Sequence, residues 1–247
     1  MAIIQRLKTK VTELEKIFEG VYLVSFDASA RQTKFSPGQF THLALDEFDP
    51  SLGFWPESRV FSIASEPKSD KITIVYSVKG AYTKRMENEL SIGKTVWLKY
   101  PYGDFSVHTM SEAEDPLVFV SGGTGISPFI PFLKECFTAK SNRTIHHHHG
   151  LRKNGMLIFK DELEEASSLK GFKGFLSIED EYPQPVLTNW NIKYGRLNLL
   201  DIIVSTKELG EKTKIFLSGP PMMINYFKSG LLKIGIKDTQ IKIDSWE

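Results

Sequence analysis

The run Asp115-Pro116-Leu117-Val118-Phe119-Val120-Ser121-Gly122-Gly123-Thr124-Gly125-Ile126-Ser127-Pro128 decides how the chain is read. Leu117 to Ser121 is apolar without alternation, the pattern of a strand covered on both faces. The glycines that follow are a turn, and the apolar-periodic stretch from Ser127 to Lys140 predicts a helix. A strand ending at Ser121 and a helix starting near Ser127 bring consecutive backbone N–H groups and the positive end of a helix dipole to one point. Glycines there remove the side chains that would obstruct a phosphate. The same four residues also serve as an ordinary tight turn, and their spacing is not that of G-x-G-x-x-G. This segment alone therefore leaves a pyrophosphate site and a plain turn both open.

Towards the C-terminus, further strand units are predicted at Thr144 to His149, Phe175 to Ile178 and Lys214 to Ser218, which gives a parallel sheet with crossover helices. Towards the N-terminus the style changes. Between Thr9 and Val107, short alternating runs (Val21 to Phe26, Phe40 to Leu45, Lys71 to Val78, Thr95 to Lys99) are punctuated by Pro37-Gly38, Gly80, Gly93, Pro101 and Gly103. That is the pattern of a small antiparallel sandwich or barrel. One helix interrupts it, predicted over Thr83 to Leu90 with the threonine as N-cap. The boundary falls in the polar stretch near residues 108 to 115, so residues 1–110 and 111–247 are expected to be separate domains.

Composition narrows the partners. The chain has 247 residues, 41% of them apolar (about 48% with glycine), which is enough for a packed core. With 31 basic against 30 acidic residues, the overall charge gives no reason to expect nucleic acid or an anionic membrane surface as partner. The single cysteine, Cys136, excludes an intrachain disulfide framework and any four-thiolate zinc or iron–sulfur site, and its apolar surroundings predict a small buried residue. The first twenty residues lack a signal-peptide core and no stretch approaches a membrane span, so a cytoplasmic protein without membrane insertion is expected. His146 to His149 are consecutive; side chains on a strand alternate between faces, which favours strand residues over a metal site. His42 is read as structural, or close to a ligand, rather than catalytic. The charged stretch Lys160 to Glu165 is a solvated helix face or a surface for a protein partner.

Two further segments carry chemistry. Arg59-Val60-Phe61-Ser62 sets a cation, a ring and a hydroxyl along one strand, a set able to hold a phosphate, cover a flat heterocycle and bond its edge. The loop Gly80-Ala81-Tyr82-Thr83 leads into a helix and offers a second phosphate position. Two phosphate loops in two domains imply two nucleotides.

With these segments in order, the chain resembles the ferredoxin–NADP reductase superfamily of flavin enzymes. The resemblance rests on Ser36-Pro37-Gly38-Gln39-Phe40, Arg59 to Ser65, Val78-Lys79-Gly80-Ala81-Tyr82-Thr83, Gly122 to Pro128 and Ser218-Gly219-Pro220-Pro221-Met222-Met223. It implies a two-domain fold, an all-β Greek-key flavin-binding barrel followed by an α/β Rossmann-like nicotinamide-binding domain. It further implies an enzyme that passes hydride from NADH or NADPH to FAD, or to FMN in its place. Electrons would then pass to a separate acceptor such as a ferredoxin, a flavodoxin, an oxygenase component or a small molecule. A free-flavin reductase and a non-catalytic electron-transfer or dinucleotide-sensing subunit are the alternatives.

By the same resemblance, Arg59 holds the flavin phosphate, Val60 and Phe61 line the isoalloxazine and Ser62 bonds its N5. Val78, Gly80, Ala81, Tyr82 and Thr83 form the flavin pyrophosphate loop, and Gly123, Thr124 and Gly125 the dinucleotide loop. Gly219, Pro220 and Met222 follow Ser218, which stands where the family often has cysteine beside the nicotinamide. The ending Asp244-Ser245-Trp246 resembles an acid, one residue, aromatic terminus in which the acid lies near the reacting atoms and the ring covers the flavin. Trp246 as a plain strand cap is the other reading. For the coenzyme ribose, the third nucleotide-domain strand runs into Glu179-Asp180-Glu181; a carboxylate accepts from a 2′-hydroxyl and repels a 2′-phosphate, so NADH is favoured. Arg152 and Lys153, after Gly150, weigh towards NADPH.

Overall fold

A computed structural model describes residues 3–30, 32–179 and 187–244. Six antiparallel strands come first: β1 (Gln5–Phe18), β2 (Val21–Asp27), β3 (Phe40–Ala44), β4 (Ser58–Ser62), β5 (Lys71–Ser77) and β6 (Thr95–Tyr102). Their spatial order β4-β3-β6-β1-β2-β5 places β6 between β3 and β1 and curls the sheet into a nearly closed barrel. The edge strands β4 and β5 flank the seam, bridged just past the end of β4 by Ala64 N–H donating to Thr73 O at 2.8 Å. The core alternates as a strand pattern demands, with Val24, Phe26, Leu43, Ile72, Ile74, Val96, Leu98 and Tyr100 at 0% exposure.

The alternation extends further than its sequence signal. β1 starts at Gln5 and runs for 14 residues, its first half pairing with β6 and its second with β2. Leu7, Thr9 and Val11 face inward while Arg6, Lys8 and Lys10 face out. Helix α1 (Ala81–Glu89) closes one barrel end through Tyr82, Met86 and Leu90, at the four-residue spacing of one helix face. It begins two residues earlier than expected. Gly80 is the N-cap, and Thr83 sits in the first turn, its hydroxyl accepting from Gly80 N–H (3.1 Å) and Lys79 N–H (2.9 Å). The threonine thus acts on the cap from inside the helix, as N3 side chains do.

Gly38 shows why the segment before β3 has its composition. Its φ is +92°, and a Cβ there would stand 1.8 Å from the Phe105 carbonyl oxygen. Gln39 ties the same corner, donating to Gly103 O and accepting from Ser36 N–H.

After the short helix α2 (Val107–Met110) come β7 (Leu117–Gly122), α3 (Ile130–Thr138), β8 (Ile145–Leu151), α4 (Lys160–Ser167), β9 (Phe172–Ile178), β10 (Trp190–Tyr194), α5 (Leu199–Leu209), β11 (Lys214–Ser218), α6 (Pro221–Lys233) and β12 (Ile241–Ile243). The strands form one parallel sheet in the order β10-β9-β8-β7-β11-β12. β7 is central, with Leu117 and Phe119 in the core on one face and Val118 and Val120 in the core on the other. The expected helix from Ser127 starts later. Gly123–Phe129 is a 3₁₀ segment, and regular α-helix begins at Ile130.

The strand order runs from β7 to β8 on one side and reaches β11 on the other. That reversal opens a crevice at the C-terminal ends of β7 and β11, where parallel α/β sheets bind their ligands. The four histidines are strand residues of β8, all buried. Cys136 is buried in α3, and burial pushes its thiol up to about 11. No helix among the described residues is long and apolar enough to cross a membrane.

Candidate functional site

The crevice meets the barrel at one carboxylate. β12 pairs with β11 so that Leu217 lies beside Ile243, and Asp244 N–H donates to Leu217 O at 2.9 Å. This register sets Asp244 next to Ser218, whose hydroxyl donates to Oδ2 at 2.9 Å. From the other domain Ser62, the last residue of β4, donates to the same oxygen at 3.4 Å. Ser62, Ser218 and Asp244 are 8%, 1% and 7% exposed. Three of the four residues expected to be catalytic, 182 positions apart at the extreme, therefore share one oxygen atom. The fourth, Trp246, lies outside the described residues.

The loops around this acid touch backbone to backbone. A Cβ on Gly125 would stand 2.5 Å from Ser218 O and 2.6 Å from Gly219 Cα, so the β7 and β11 loops approach as closely as they do only because position 125 has no side chain. Overpacking of this kind costs about 2 kcal/mol. Gly125→Ala is accordingly expected to lower the melting temperature by roughly 4–8 °C, read by thermal denaturation. Gly123 is different, with φ +54° and open space where a Cβ would be, so its backbone faces the crevice. Thr124 O accepts from the Ser127 hydroxyl at 2.9 Å, which pins the turn. Met222 is 86% exposed, and it is its neighbour Met223 that fills the groove: a Cβ on Gly122 would meet its Sδ at 2.7 Å, and one on Gly219 its Cε at 2.8 Å. Pro220 caps α6.

On the barrel side the two expected flavin segments come together. The Arg59 guanidinium lies 4.8 Å from the Tyr82 ring centroid, half exposed, with Nη1 donating to Ser58 O and Nη2 to Glu57 Oε1. Tyr82 is buried and its hydroxyl is spent on the backbone, donating to Leu43 O at 2.7 Å and accepting from Leu45 N–H at 3.2 Å. It braces the loop and shelves the arginine. Burial pushes its phenol up to about 12. The exposed Gly80 and Ala81 open α1, whose first-turn N–H groups have no preceding turn to bond. Val60 is half-buried beside His42, and Val78 packs on the barrel core. Phe61 is 8% exposed, inside the barrel core, its ring edge-on to Tyr76 at 6.3 Å. His42 packs against Tyr102 and Phe40, and burial, then Lys99, lowers its pKa.

These features fit two anionic, flat ligands. A stacked arginine beside a glycine-opened helix start suits a phosphate, as does the second glycine turn with open space above it. The two hydroxyls on one buried acid stand between them. At the sheet's far rim, Glu179 follows β9 and accepts from Arg196 Nε at 3.0 Å, a contact the sequence did not suggest. Arg152 follows β8, exposed, while Lys153 lies over the Phe18 ring at 5.8 Å. Asp180 and Glu181 lie outside the described residues.

Comparison with known proteins agrees with this geometry. The family model described as FAD-binding domain matches residues 5–128, and that described as oxidoreductase NAD-binding domain matches residues 119–229. The anthranilate 1,2-dioxygenase electron transfer component of Acinetobacter baylyi is 26% identical over 96% of this chain and 66% of its own length. The reductase component of propane 2-monooxygenase from Rhodococcus jostii is 25% identical over 98% and 64%. This chain thus spans about two thirds of the length of these curated relatives. Among solved structures, an Amycolatopsis cytochrome P450 reductase superposes with a TM-score of 0.82 at 20% identity, covering 99% of this chain and 71% of that one. A ferredoxin NADP+ reductase from Neisseria gonorrhoeae, with bound FAD and NADP, gives 0.74 at 19%, covering 96% and 97%.

Proposed function

We propose that this chain, which belongs to the FAD-binding-domain family within the ferredoxin–NADP reductase superfamily, takes hydride from a reduced nicotinamide dinucleotide onto FAD and hands the electrons to a separate acceptor. When bound, the nicotinamide supplies the hydride, and the flavin stores two electrons that can leave one at a time. The observation that carries the reading is the shared oxygen of Asp244. One hydroxyl from the barrel and one from the nucleotide domain converge there, buried, at the mouth of the crevice.

Each domain has its part. Arg59, on its Tyr82 shelf, and the N–H groups from Gly80 to Thr83 hold the flavin phosphates; Val60, Phe61 and Val78 support the ring and its chain. Gly123, Thr124 and Gly125 would hold the dinucleotide pyrophosphate and Gly219, Pro220 and the exposed Met222 would line the nicotinamide end, with Met223 packed beneath them against Gly122 and Gly219. Ser62 and Ser218 present hydroxyls whose protons Asp244 orients, and the buried position keeps water from the reacting atoms. We place the domain boundary near residue 110 and the protein in the cytoplasm. The acceptor is an oxygenase component or a ferredoxin, in line with relatives named as dioxygenase and monooxygenase components.

The test is anaerobic reduction of the purified protein with NADH and NADPH, followed by titration with candidate acceptors. A yellow protein that keeps its flavin through gel filtration and bleaches with coenzyme is expected. A colourless protein that oxidises coenzyme only with added flavin would indicate a free-flavin reductase instead, and one inert to every acceptor a non-catalytic subunit. In the same preparation Arg59→Ala should weaken flavin binding about ten- to hundredfold, the worth of a charge-assisted arginine–phosphate contact. Unchanged flavin retention, measured by fluorescence on dilution, would remove Arg59 from the site.

A further inference from the structure

Tyr76 belongs to the barrel core with Ile72 and Ile74 of the same strand, and it is 2% exposed. Its hydroxyl is buried with no hydrogen-bond partner among the described residues. The neighbouring tyrosines are all committed. Tyr22 donates to Glu87 Oε1 at 2.8 Å, Tyr82 to Leu43 O at 2.7 Å and Tyr100 to Gln5 Oε1 at 3.0 Å. A buried hydroxyl without a partner is destabilising, and a phenylalanine would fill the same space without that penalty. Packing alone therefore does not account for a tyrosine at position 76.

The ring is fixed by two others. It stacks on Tyr22 at 5.2 Å, and it meets the Phe61 ring edge-on at 6.3 Å across the seam between β4 and β5. Arg59 and Phe61 are alternate residues of β4 and so share a face, while α1 opens at Gly80, just beyond the end of β5. Tyr76 thus lies between the residues proposed for the flavin phosphates and the ring surface of Phe61. The part of a flavin nucleotide that spans those two positions is the ribityl chain, whose hydroxyls find no polar atom on the Phe61 side chain. Burial holds the Tyr76 phenol well above its ordinary pKa, so the group stays protonated and keeps a hydrogen to donate. We infer that Tyr76 donates a hydrogen bond to the ribityl chain of the bound flavin, from β5 and opposite the apolar surface of Phe61 on β4. This rests on the reading of the barrel as the flavin site, and it adds a residue outside both segments, Arg59 to Ser62 and Val78 to Thr83, that carried that reading.

Tyr76→Phe removes one oxygen atom and leaves the stacked rings in place. Three measurements on the full chain decide the matter: FAD dissociation by fluorescence on dilution, the visible absorption band of the bound FAD, and the melting temperature of the protein stripped of flavin. FAD binding should weaken about three- to tenfold, the worth of one neutral hydrogen bond. The absorption band should not move, because the contact is to the chain and not to the ring. The flavin-free melting temperature should stay the same or rise, since no group of the protein loses a partner. Weakening of less than about threefold would overturn the assignment, and a shifted band would place the contact on the ring instead. A flavin-free melting temperature lower by more than about 3 °C would likewise overturn it, by giving the hydroxyl a structural partner. If Arg59→Ala weakens FAD and Tyr76→Phe does not, the flavin site stands and Tyr76 alone leaves it. If the wild type binds no FAD, both readings fall.

Discussion

Asp244→Ala is expected to slow flavin reduction by NADH or NADPH about a hundredfold or more, the usual cost of removing an oriented polar group from reacting atoms. The argument is one of hydrogen positions. Each serine hydroxyl has a single proton, and both are committed to Asp244 Oδ2, Ser218 at 2.9 Å and Ser62 at 3.4 Å. Without the carboxylate the two hydroxyls turn to other acceptors, and the lone pairs they present to the crevice are no longer fixed. Asp244→Asn retains an oxygen in nearly the same place, so it should cost less, about tenfold. A purely structural acid would behave otherwise. It would lower stability and flavin content, while the loaded fraction reduced at the wild-type rate. Single-turnover stopped-flow, normalised to bound flavin, separates these outcomes, and an unaltered rate in Asp244→Ala would remove the acid from the chemistry. Ser62→Ala should likewise slow reduction far more than it weakens flavin binding.

How much of this site could be read in the sequence depends on which interactions are local. The β7 strand and its glycine turn were legible because a strand covered on both faces loses its alternation, and Leu117 to Ser121 has none. The convergence of Ser62, Ser218 and Asp244 was available only through resemblance, since no spacing rule links positions 182 apart. β1 was hidden because Glu13, Glu15 and Lys16 interrupt its apolar period, and its long pairing with both β6 and β2 is a property of the barrel. The N-cap lies three residues before Thr83, at Gly80, because a threonine at N3 and one at the N-cap look alike in a sequence, although both stabilise the same helix start. Met223 packs against Gly122 and Gly219 while Met222 stays exposed, because helical phase, set by the packing of α6 on the sheet, decides which of two adjacent methionines turns inward. The partner of Glu179 was invisible for a different reason. Arg196 reaches it only across the β9–β10 pairing, and Trp190–Tyr194 is too polar and short to announce a strand.

Mild acid should destabilise the protein through the β8 histidines, His148 and His149 alone accounting for about 4 kcal/mol between pH 7 and pH 5. His148 stacks on Phe175 at 4.4 Å and meets the Ser205 hydroxyl at 2.8 Å, while His147 and His149 share the Ser121 hydroxyl, each at 2.8 Å. Burial lowers all three, His148 to about 3, His149 to about 4 and His147 well below its usual value. One hydroxyl has one proton, so it donates to one of its two imidazoles and accepts from the other; His147 Nδ1 and His149 Nε2 are buried without a partner among the described residues, so a further proton on either ring would bury a charge with no acceptor. The sign follows from the proton balance. The unfolded chain takes up protons below about 6.5 and the folded chain does not, so stability is fully present above 6.5 and falls as pH drops towards 4 and then 3. From 6.5 to 5, His148 and His149 each contribute about 2 kcal/mol of that loss, a large share of the roughly 5–15 kcal/mol that holds a typical domain. The ion-paired carboxylates do not confuse the window. Glu13 and Asp46, for example, are held below their ordinary values by Lys71 and Arg85, and their contribution is lost only below about pH 4. Urea unfolding at pH 7, 6 and 5 should show the midpoint falling steadily. His148→Gln, which can still meet Ser205 but does not titrate, should make the fall smaller by about 2 kcal/mol; equal midpoints at pH 7 and pH 5 in the wild type would mean that these rings protonate in place.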